Sequence, residues 1–266
     1  MNWLISFWTG FWTDAVNFPF RTETALPMNP KNTLTGLFDD IKNSLMYLKE
    51  KGYTALPCSE ESLNVLRAWK EGAVAAPPVM PRESLEDIRN DIGDCHRCPL
   101  CEKRTHIVFG AGDPHARLVF VGEAPGDEED QQGHPFVGEA GQLLTRIIQA
   151  INLTRDQVYI CNVIKCLPPG NRNPESLEIH TCLPFLKRQI QAIGPRFICT
   201  LGKYAAQTLL KSQSPISALR GRFYDYGGIR LIPTFHPAYL LRNPDKKREV
   251  WEDMKLLMSE YGADRG

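Results

Sequence analysis

Four of the eight cysteines in this 266-residue chain have the spacing of a metal site. Cys95 and Cys98 form a close CxxC pair, and Cys166 and Cys182 follow further along the chain, sixteen positions apart. Two ligands from a tight turn and two from a distant segment can close a four-thiolate site that ties two parts of a chain together. The spacing does not distinguish an iron–sulfur cluster from zinc, and it leaves Cys101 open as a ligand.

A glycine- and proline-rich turn, GEAPG at residues 122–126, is a second place for chemistry. The turn follows an apolar run, and it can present backbone N–H groups that cradle a carbonyl or phosphate oxygen. Glu123 lies within the turn and is a candidate for chemistry. Residues 127–130 are all acidic, which argues against a simple phosphate-binding loop, and we interpret Asp127 and Glu128 as part of a solvated acidic loop.

Phe136 and Asn162 are candidates for binding a flat ring. Phe136 is either ordinary core or an aromatic platform on which a ring stacks. Asn162 lies in an otherwise apolar predicted strand, so its amide is either a structural tie or a reader of a base. Reading suits uracil, because the amide oxygen can accept from N3–H while the amide nitrogen donates to O4. Cytosine presents the reverse pattern.

The segment HPAYLLRNP at residues 236–244 combines a histidine with an apolar tip. His236 ends a predicted strand and is held by the proline that follows, which favours a catalytic role. Leu240 and Leu241 precede Arg242, and an apolar wedge beside an arginine can enter a base stack while the arginine binds a phosphate. The alternative is a helix start whose leucines pack inward, as we expect for one of the two.

The elements that must position these residues alternate between strand and helix from residue 117 onward. The predicted strands, the first with its terminal turn, lie at 117–126, 158–165, 196–202 and 229–237, and the predicted helices at 138–151, 174–193, 203–211 and 245–260. This alternation predicts an α/β fold, with a four-stranded parallel sheet covered by helices on both faces. The GEAPG turn, Asn162 and His236 would then meet at the carboxyl edge of the sheet, where ligands bind in such folds.

The N-terminal part of the chain is predicted to form a separate extension. Residues 34–51 and 60–70 have helical periodicity, and the proline-rich stretch 73–84 indicates a linker. The first residues are apolar, but Asp14 interrupts a run that is too short to cross a bilayer, so we expect no membrane span. We expect Met28 to be the natural start. The predicted organisation is a non-native or disordered leader at 1–27, a helical extension and linker at 28–85, and the main domain at 86–262.

Composition restricts the partners and the compartment. Lysine and arginine total 31, as do aspartate and glutamate, so the formal net charge is zero. Any affinity for DNA must therefore come from a local basic face. The chain is too long to need a disulfide scaffold and carries no convincing export signal, which indicates reduced thiols and a cytoplasmic protein.

The motifs of residues 90–260, taken in order, resemble those of the family 4 uracil-DNA glycosylases, the iron–sulfur type of bacteria and archaea. These motifs are CHRCPLC (95–101), GEAPG…ED…GHPFVGEAG (122–141), VYICNVIKCLPPGNRNP (158–174), LGKYAA (201–206), LRG (219–221) and FHPAYLLRNP (235–244). The resemblance implies a three-layer α/β/α fold with a [4Fe–4S] cluster. It implies that the cluster ligands are Cys95, Cys98, Cys166 and Cys182, with Cys101 outside the set. It implies uracil contacts from Glu123, Ala124, Pro125, Phe136, Asn162 and His236.

The implied activity is hydrolysis of the N-glycosidic bond of deoxyuridine in single- or double-stranded DNA, which releases uracil, leaves an abasic site and initiates base excision repair. His236 and the N–H groups of the turn would stabilise charge on uracil O2. Glu123 or Glu129 would orient the attacking water, because Ala124 occupies the place where better-known members of the superfamily carry an aspartate. Leu240 or Leu241 would fill the vacated base stack, with Arg242 near a phosphate.

The partner is expected to be uracil-containing DNA, and the protein is expected to act as a monomer with a structural cluster. Three alternatives stay open. The first is a glycosylase for another base such as hypoxanthine, against which Asn162 argues. The second is a relative that traps uracil covalently, but the sequence lacks a basic histidine-containing loop after the first motif. The third is a catalytically silent iron–sulfur module that binds DNA.

Overall fold

The computed structural model describes residues 83–263 and five isolated helical positions nearer the N-terminus. The chain divides into two compact units, Met1–Pro78 and Val79–Gly266. The described positions of the first unit, which fall within the two predicted N-terminal helices, are Met46, Lys49, Glu60, Asn64 and Arg67. The remainder of those helices, the predicted leader at 1–27 with Met28, and the predicted linker up to residue 82 lie outside the described residues.

The second unit contains one six-stranded mixed sheet. Its strands are β1 (Ala111–Gly112), β2 (Leu118–Gly122), β3 (Tyr159–Asn162), β4 (Phe197–Leu201), β5 (Tyr224–Tyr226) and β6 (Ile229–Thr234). Their order across the sheet is β1-β3-β2-β4-β6-β5. The four central strands run parallel to one another, and the two edge strands pair antiparallel with their neighbours.

Helices cover both faces of this sheet. They are α1 (Leu85–Ile92), α2 (Asp127–Gln132), α3 (Glu139–Ala150), α4 (Ser176–Ile193), α5 (Lys203–Leu210), α6 (Ile216–Leu219), α7 (Pro237–Arg242) and α8 (Lys247–Ala263). Short 3₁₀ turns lie at Pro99–Glu102, Arg155–Gln157, Pro169–Asn171 and Pro244–Lys246. Of the helices in the described part of the chain, none has the length and apolar character needed to cross a membrane.

The alternation of side chains along β2 explains why both faces of the sheet are covered. Leu118 and Phe120 pack into one core cluster, which includes residues of α3 and α8. Val119 and Val121 pack into a second cluster with residues of α4 and α5. Every residue of β2 is buried, as expected for a central parallel strand whose two faces both meet helices.

The predicted α/β fold class is confirmed, and the four predicted parallel strands form the centre of the sheet. The two edge strands were not predicted. β1 is two residues long and β5 is three, and such short segments carry no readable alternation. Both pair antiparallel at the edges, so the sheet is mixed and six-stranded where the sequence predicts a four-stranded parallel one.

Residues 127–132 form helix α2, so Asp127 and Glu128 begin a helix where the sequence analysis places them in a solvated loop. Acidic side chains are stabilised near the positive end of a helix dipole, so an acidic run can be a helix start. Three of these acids also have structural partners, and one of them, Asp127, accepts a hydrogen bond from Nδ2 of Asn171. Asp130 is buried and accepts hydrogen bonds from the backbone N–H of Thr105, and Glu129 accepts from the backbone N–H of Gly126 at the helix start.

Helix α1 leads into the first cysteine pair and was not predicted either. Ser84 caps it, with Asp87 bonding back to the Ser84 backbone. Ile88 and Ile92 pack into a small apolar cluster with Phe109 and Phe185, the latter on α4. The helix therefore anchors the segment before Cys95 to the main domain, and the predicted boundary between residues 85 and 86 falls within its first turn.

Candidate active site and cysteine cavity

A pocket of about 330 Å³ opens at the carboxyl edge of the sheet. The turn after β2, the end of β3 and the residue after β6 bound it. All six predicted uracil contacts line this pocket, namely Glu123, Ala124, Pro125, Phe136, Asn162 and His236. The fold thus brings together residues that are more than 100 positions apart in the sequence.

Asn162 ends β3 and is 1% exposed. Neither its Oδ1 nor its Nδ2 has a hydrogen-bond partner in the described structure. A buried polar group without a partner costs about 1–3 kcal/mol, so native proteins seldom keep one without a reason. Because Asn162 lines the pocket, a ligand there can supply both missing partners.

Phe136 forms another wall of the pocket and is buried. Its φ of 54° lies in the left-handed region, which is uncommon for a bulky residue. The flanking backbone is held on both sides: Arg155 Nη2 donates to the carbonyl oxygen of Pro135 at 2.8 Å, and the Val137 N–H donates to Glu129 at 2.8 Å. These contacts hold the ring at the pocket wall.

His236 lies directly before α7, half-buried, with its ring centroid 5.6 Å from that of Phe136. The backbone N–H of Ala238 donates to its Nδ1 at 3.1 Å. Since Nδ1 is the acceptor, the neutral ring carries its proton on Nε2. Burial lowers the pKa of His236 to about 4, so the ring is neutral at physiological pH and Nε2–H is a donor.

Glu123 presents a carboxyl group to the pocket. Burial raises its pKa to about 7, and Lys203, at the start of α5, acts in the opposite direction. The group therefore changes charge close to neutral pH. A carboxyl group with such a pKa can exchange a proton under working conditions.

Glu129 has a different environment, although it also lines the pocket. Its Oε2 accepts from the N–H of Gly126 at 3.0 Å, and its Oε1 accepts from the N–H groups of Val137 and Gly138 at 2.8 and 3.0 Å. The carboxylate thereby ties the turn after β2 to the loop that carries Phe136. Both oxygens are committed to this role, which leaves Glu123 as the carboxyl group available to water.

The four cysteines of the predicted ligand set line one small apolar cavity of about 20 Å³. They are Cys95, Cys98, Cys166 and Cys182. Cys101, which the spacing left open, is not among the residues that line it. All seven cysteines of the described part of the chain are free of disulfide bonds.

The donor set of this cavity fits a metal centre with four thiolate ligands, and such thiolates hold both iron–sulfur clusters and structural zinc. Within the described residues, no group of three or more His, Cys, Asp or Glu side chains is arranged to hold a single metal ion.

Cationic side chains surround the same sulfurs. Arg104 Nη1 lies 3.8 Å from Cys166 Sγ, and Arg97 Nη1 lies 3.5 Å from Cys95 Sγ. Burial raises the pKa of the Cys166 thiol to about 12 despite the nearby Arg104. Such a thiol loses its proton when a metal binds it, and the arginines suit the negative charge that results.

Comparison with known proteins agrees with this geometry. The Uracil DNA glycosylase superfamily matches residues 109–255. The type-4 uracil-DNA glycosylase of Sulfurisphaera tokodaii is 45% identical over 184 residues, which are 66% of this chain and 84% of that protein. That of Thermotoga maritima is 45% identical over 181 residues, 66% of this chain and 94% of that protein. That of Saccharolobus solfataricus is 43% identical over 182 residues, 65% of this chain and 84% of that protein.

The chain belongs to the type-4 uracil-DNA glycosylases. The resemblance that its motifs predict is therefore confirmed.

In this type-4 uracil-DNA glycosylase the two leucines of the predicted wedge have different environments. Leu240 is 1% exposed and belongs to the core beneath α3, which corrects the prediction that it contacts DNA. Leu241 is 38% exposed, and Arg242 is exposed and lines the pocket mouth. Of the pair, only Leu241 is placed to reach a base stack.

Arg172 also lines the pocket of this glycosylase, and no role was predicted for it. Its Nη1 and Nη2 donate to Glu178 at 2.9 and 2.6 Å, and Glu178 is buried at the start of α4. The pair fixes the loop of residues 168–175 beside the pocket. The GNRNP motif lies within this loop and contains Arg172. Glu178, the partner of Arg172, lies outside the motif, so the motif did not indicate this ion pair.

Arg220 anchors the strand that precedes His236, and its role was not predicted either. Its guanidinium donates to both oxygens of Asp253, at 3.0 and 2.8 Å, and Thr234 Oγ1 donates to the same carboxylate at 2.6 Å. Thr234 ends β6, two residues before His236. The LRG motif at 219–221 therefore has a structural reason: Arg220 holds the end of the strand against α8.

Proposed function

We propose that this protein is a uracil-DNA glycosylase, a hydrolase that cleaves the N-glycosidic bond between uracil and deoxyribose in DNA. The reaction releases uracil, leaves an abasic site and initiates DNA repair. Family membership supports the class of reaction. The unpaired amide of Asn162 is the observation that supports uracil as the base.

The amide of Asn162 matches one edge of uracil. Its Oδ1 can accept from N3–H and its Nδ2 can donate to O4, which pairs both polar atoms that the protein leaves unpaired. Cytosine offers an acceptor at N3 and donors at N4, so an amide in this orientation would face two mismatched contacts. Phe136 supplies the flat wall on which the extruded ring would stack.

His236 is our candidate for stabilising the leaving uracil. As the bond breaks, negative charge develops on uracil O2, and a donor already aimed at that oxygen lowers the barrier. The hydrogen bond from Ala238 to Nδ1 fixes the Nε2–H tautomer, so no reorganisation is needed at the moment of reaction. The lowered pKa of His236, about 4, makes it a neutral donor.

Glu123 is our candidate for orienting the attacking water and for favouring the cationic sugar. Ala124 beside it offers no carboxylate, and Glu129 is engaged by three backbone N–H groups. In its ionised form Glu123 can accept a proton from water as the water attacks. The opposite charge of Lys203 favours that ionised form.

Leu241 and Arg242 are our candidates for contact with DNA. An exposed leucine at the tip of α7 can enter the gap that the flipped nucleotide leaves, and the adjacent arginine can bind a phosphate. With a net charge of zero, the protein needs such local contacts to bind DNA.

We further propose that Cys95, Cys98, Cys166 and Cys182 hold a [4Fe–4S] cluster. When bound, the cluster would link Cys95 and Cys98, after α1, to Cys166 between β3 and α4 and to Cys182 on α4. Hydrolysis needs no electrons, so its role in the reaction is structural. We also propose that the protein works in the reducing cytoplasm, which the free thiols of the described residues support, and that it acts on DNA as a monomer.

We propose a leader at 1–27 and an extension from residue 28 ahead of the glycosylase domain. That domain includes α1 with its Ser84 cap, so it begins before the predicted residue 86. The match of the superfamily to residues 109–255 falls within it.

The test is a strand-scission assay with anaerobically purified protein that retains its iron. A labelled oligonucleotide with one uracil is incubated with the protein and then treated with alkali, beside matched strands with thymine, cytosine or hypoxanthine at that position. The proposal expects scission at uracil and none at thymine or cytosine. Absence of scission at uracil by iron-loaded protein would contradict the proposal. Preferential scission at hypoxanthine would identify hypoxanthine, and not uracil, as the substrate.

A further inference from the structure

Lys165 lies between the proposed uracil reader and the cysteine cavity. It is 2% exposed, and it lines the cavity together with Cys166 and Cys182. Its Nζ donates to the backbone oxygen of Asn162 at 2.8 Å and to Oε1 of Gln189 at 2.6 Å. The side chain of Lys165 therefore contacts Asn162, which lines the pocket, and also lines the cysteine cavity.

Both hydrogen-bond partners of Lys165 are neutral oxygens, the backbone carbonyl of Asn162 and the amide Oε1 of Gln189. A buried polar group without partners is costly, and these two contacts pair the Lys165 nitrogen inside the protein. Burial lowers the pKa of Lys165. Its Nζ has at least two N–H donors in either charge state, so the contact with Asn162 does not depend on the charge of Lys165.

Gln189 restricts the position of Lys165. It lies on α4 and is fully buried, and its Nε2 donates to the backbone oxygen of Phe109 at 3.0 Å. This contact fixes which end of the amide faces Lys165. The Lys165 Nζ is thereby held at one place, within hydrogen-bond distance of the carbonyl group of Asn162.

We propose that Lys165 is a positioning residue for uracil recognition. Its Nζ holds the backbone at Asn162, and Gln189 holds Nζ in place. The inference rests on the proposed function and deepens it: the position of the base reader depends on a buried lysine that also lines the cysteine cavity.

The test compares Lys165→Met, Asn162→Ala and the double variant, with Lys255→Met as a control for loss of an exposed lysine charge. Three quantities are measured for each protein: iron per chain, kcat/KM for uracil release, and inhibition by free uracil. We expect Lys165→Met to retain iron, to lose about 10- to 100-fold in kcat/KM and to bind free uracil correspondingly more weakly. We expect the double variant to be no worse than Asn162→Ala alone, because Lys165 acts through Asn162.

Wild-type kcat/KM and uracil inhibition in iron-loaded Lys165→Met would overturn the inference. Losses that multiply in the double variant would also overturn it, because a general structural role does not depend on Asn162. Failure of the wild-type protein to act on uracil would instead contradict the proposed function, so the two failures are distinguishable.

A second variant decides the case in which Lys165→Met loses its iron. Gln189→Met keeps Lys165 beside the cysteines but removes one of the two contacts that hold its Nζ. The inference expects this variant to retain iron, to lose kcat/KM and uracil inhibition together, and to show no further loss when combined with Asn162→Ala. Unchanged activity, or multiplied losses, would overturn it.

Discussion

Gly122 and Asn162 are partners in the register of β2 and β3, and the absence of a side chain at residue 122 makes room for the amide of Asn162. A Cβ on Gly122 would stand 2.3 Å from Oδ1 of Asn162 and 2.6 Å from Cζ of Phe136. The positions of Asn162 and Phe136 therefore both depend on Gly122. A glycine is needed here because the two side chains approach the backbone closely, and not because the backbone angle is unusual.

Gly122→Ala is expected to damage the pocket and the core together. The added methyl group must displace the Asn162 amide, the Phe136 ring or both, and overpacking of this kind costs about 1–3 kcal/mol of unfolding free energy. Displacement of the base reader is expected to lower kcat/KM by about 100-fold. Gly262→Ala in α8 is the control, because a Cβ there meets nothing within 4 Å. Urea unfolding and uracil release check both, and a fully active Gly122→Ala protein would refute the packing argument.

Asn162→Leu is expected to leave the protein as stable as before, or more stable. Most buried polar residues stabilise the fold through their hydrogen bonds, but this amide has none within the described structure. Removing an unpaired buried group recovers up to about 1–3 kcal/mol. Thr200→Val is the matched comparison, since Thr200 Oγ1 is also buried and unpaired. Chemical denaturation measures both, and a strongly destabilised Asn162→Leu protein would show that the amide has a structural partner.

The pH dependence of kcat/KM is expected to report Glu123. Its pKa is raised to about 7, so activity that needs the carboxylate rises as the pH increases through 7 and levels off above it. Lys203 favours the charged form, so Lys203→Met moves the midpoint to higher pH while Lys203→Arg leaves it nearly in place. Glu123→Gln removes this limb of the profile. A limb that persists unchanged in Glu123→Gln would assign it to another group.

Leu241 and Leu240 are expected to give opposite results when each is replaced by alanine. Leu241→Ala removes an exposed side chain, so it leaves stability unchanged and lowers activity on double-stranded DNA more than on single-stranded DNA, where no stack must be filled. Leu240→Ala empties a core position and costs about 2–5 kcal/mol of unfolding free energy. Thermal unfolding and assays on both DNA forms measure the contrast. Equal effects of Leu241→Ala on the two DNA forms would exclude it as the wedge.

Cys182→Ser and Cys101→Ser are expected to separate cluster ligands from the neighbouring cysteine. Cys182 lines the cavity and Cys101 does not. Cys182→Ser therefore loses iron, the brown colour and stability, whereas Cys101→Ser keeps all three. Iron analysis and visible absorbance of anaerobically purified proteins measure this. Loss of iron from Cys101→Ser alone would revise the ligand set.

Periodicity predicted the parts of the fold that are long and regular, and it failed where structure depends on contacts. The apolar run of β2 identified a central strand because both faces of that strand are buried. The acids of α2 looked like a loop because nothing nearby in the sequence shows that Glu129 binds the N–H groups of Val137 and Gly138. The two edge strands are too short to carry a pattern.

The site was predictable to the extent that its residues end predicted strands. Asn162 and His236 were found because the carboxyl edge of a parallel sheet gathers such residues. The sequence could not distinguish Leu240 from Leu241, since both fit the same tip. The sequence also did not indicate a role for Lys165, because that role depends on the contact with Gln189, which lies 24 positions away.

The measurement that tests the central claim most directly is uracil release by wild-type, Asn162→Leu and Thr200→Val proteins of verified stability and iron content. Free uracil is quantified by chromatography from DNA with a single uracil. We predict release by wild type, the same rate for Thr200→Val, and a loss of about 100- to 1,000-fold for Asn162→Leu. Release by Asn162→Leu at the wild-type rate would contradict the claim that this unpaired amide recognises uracil.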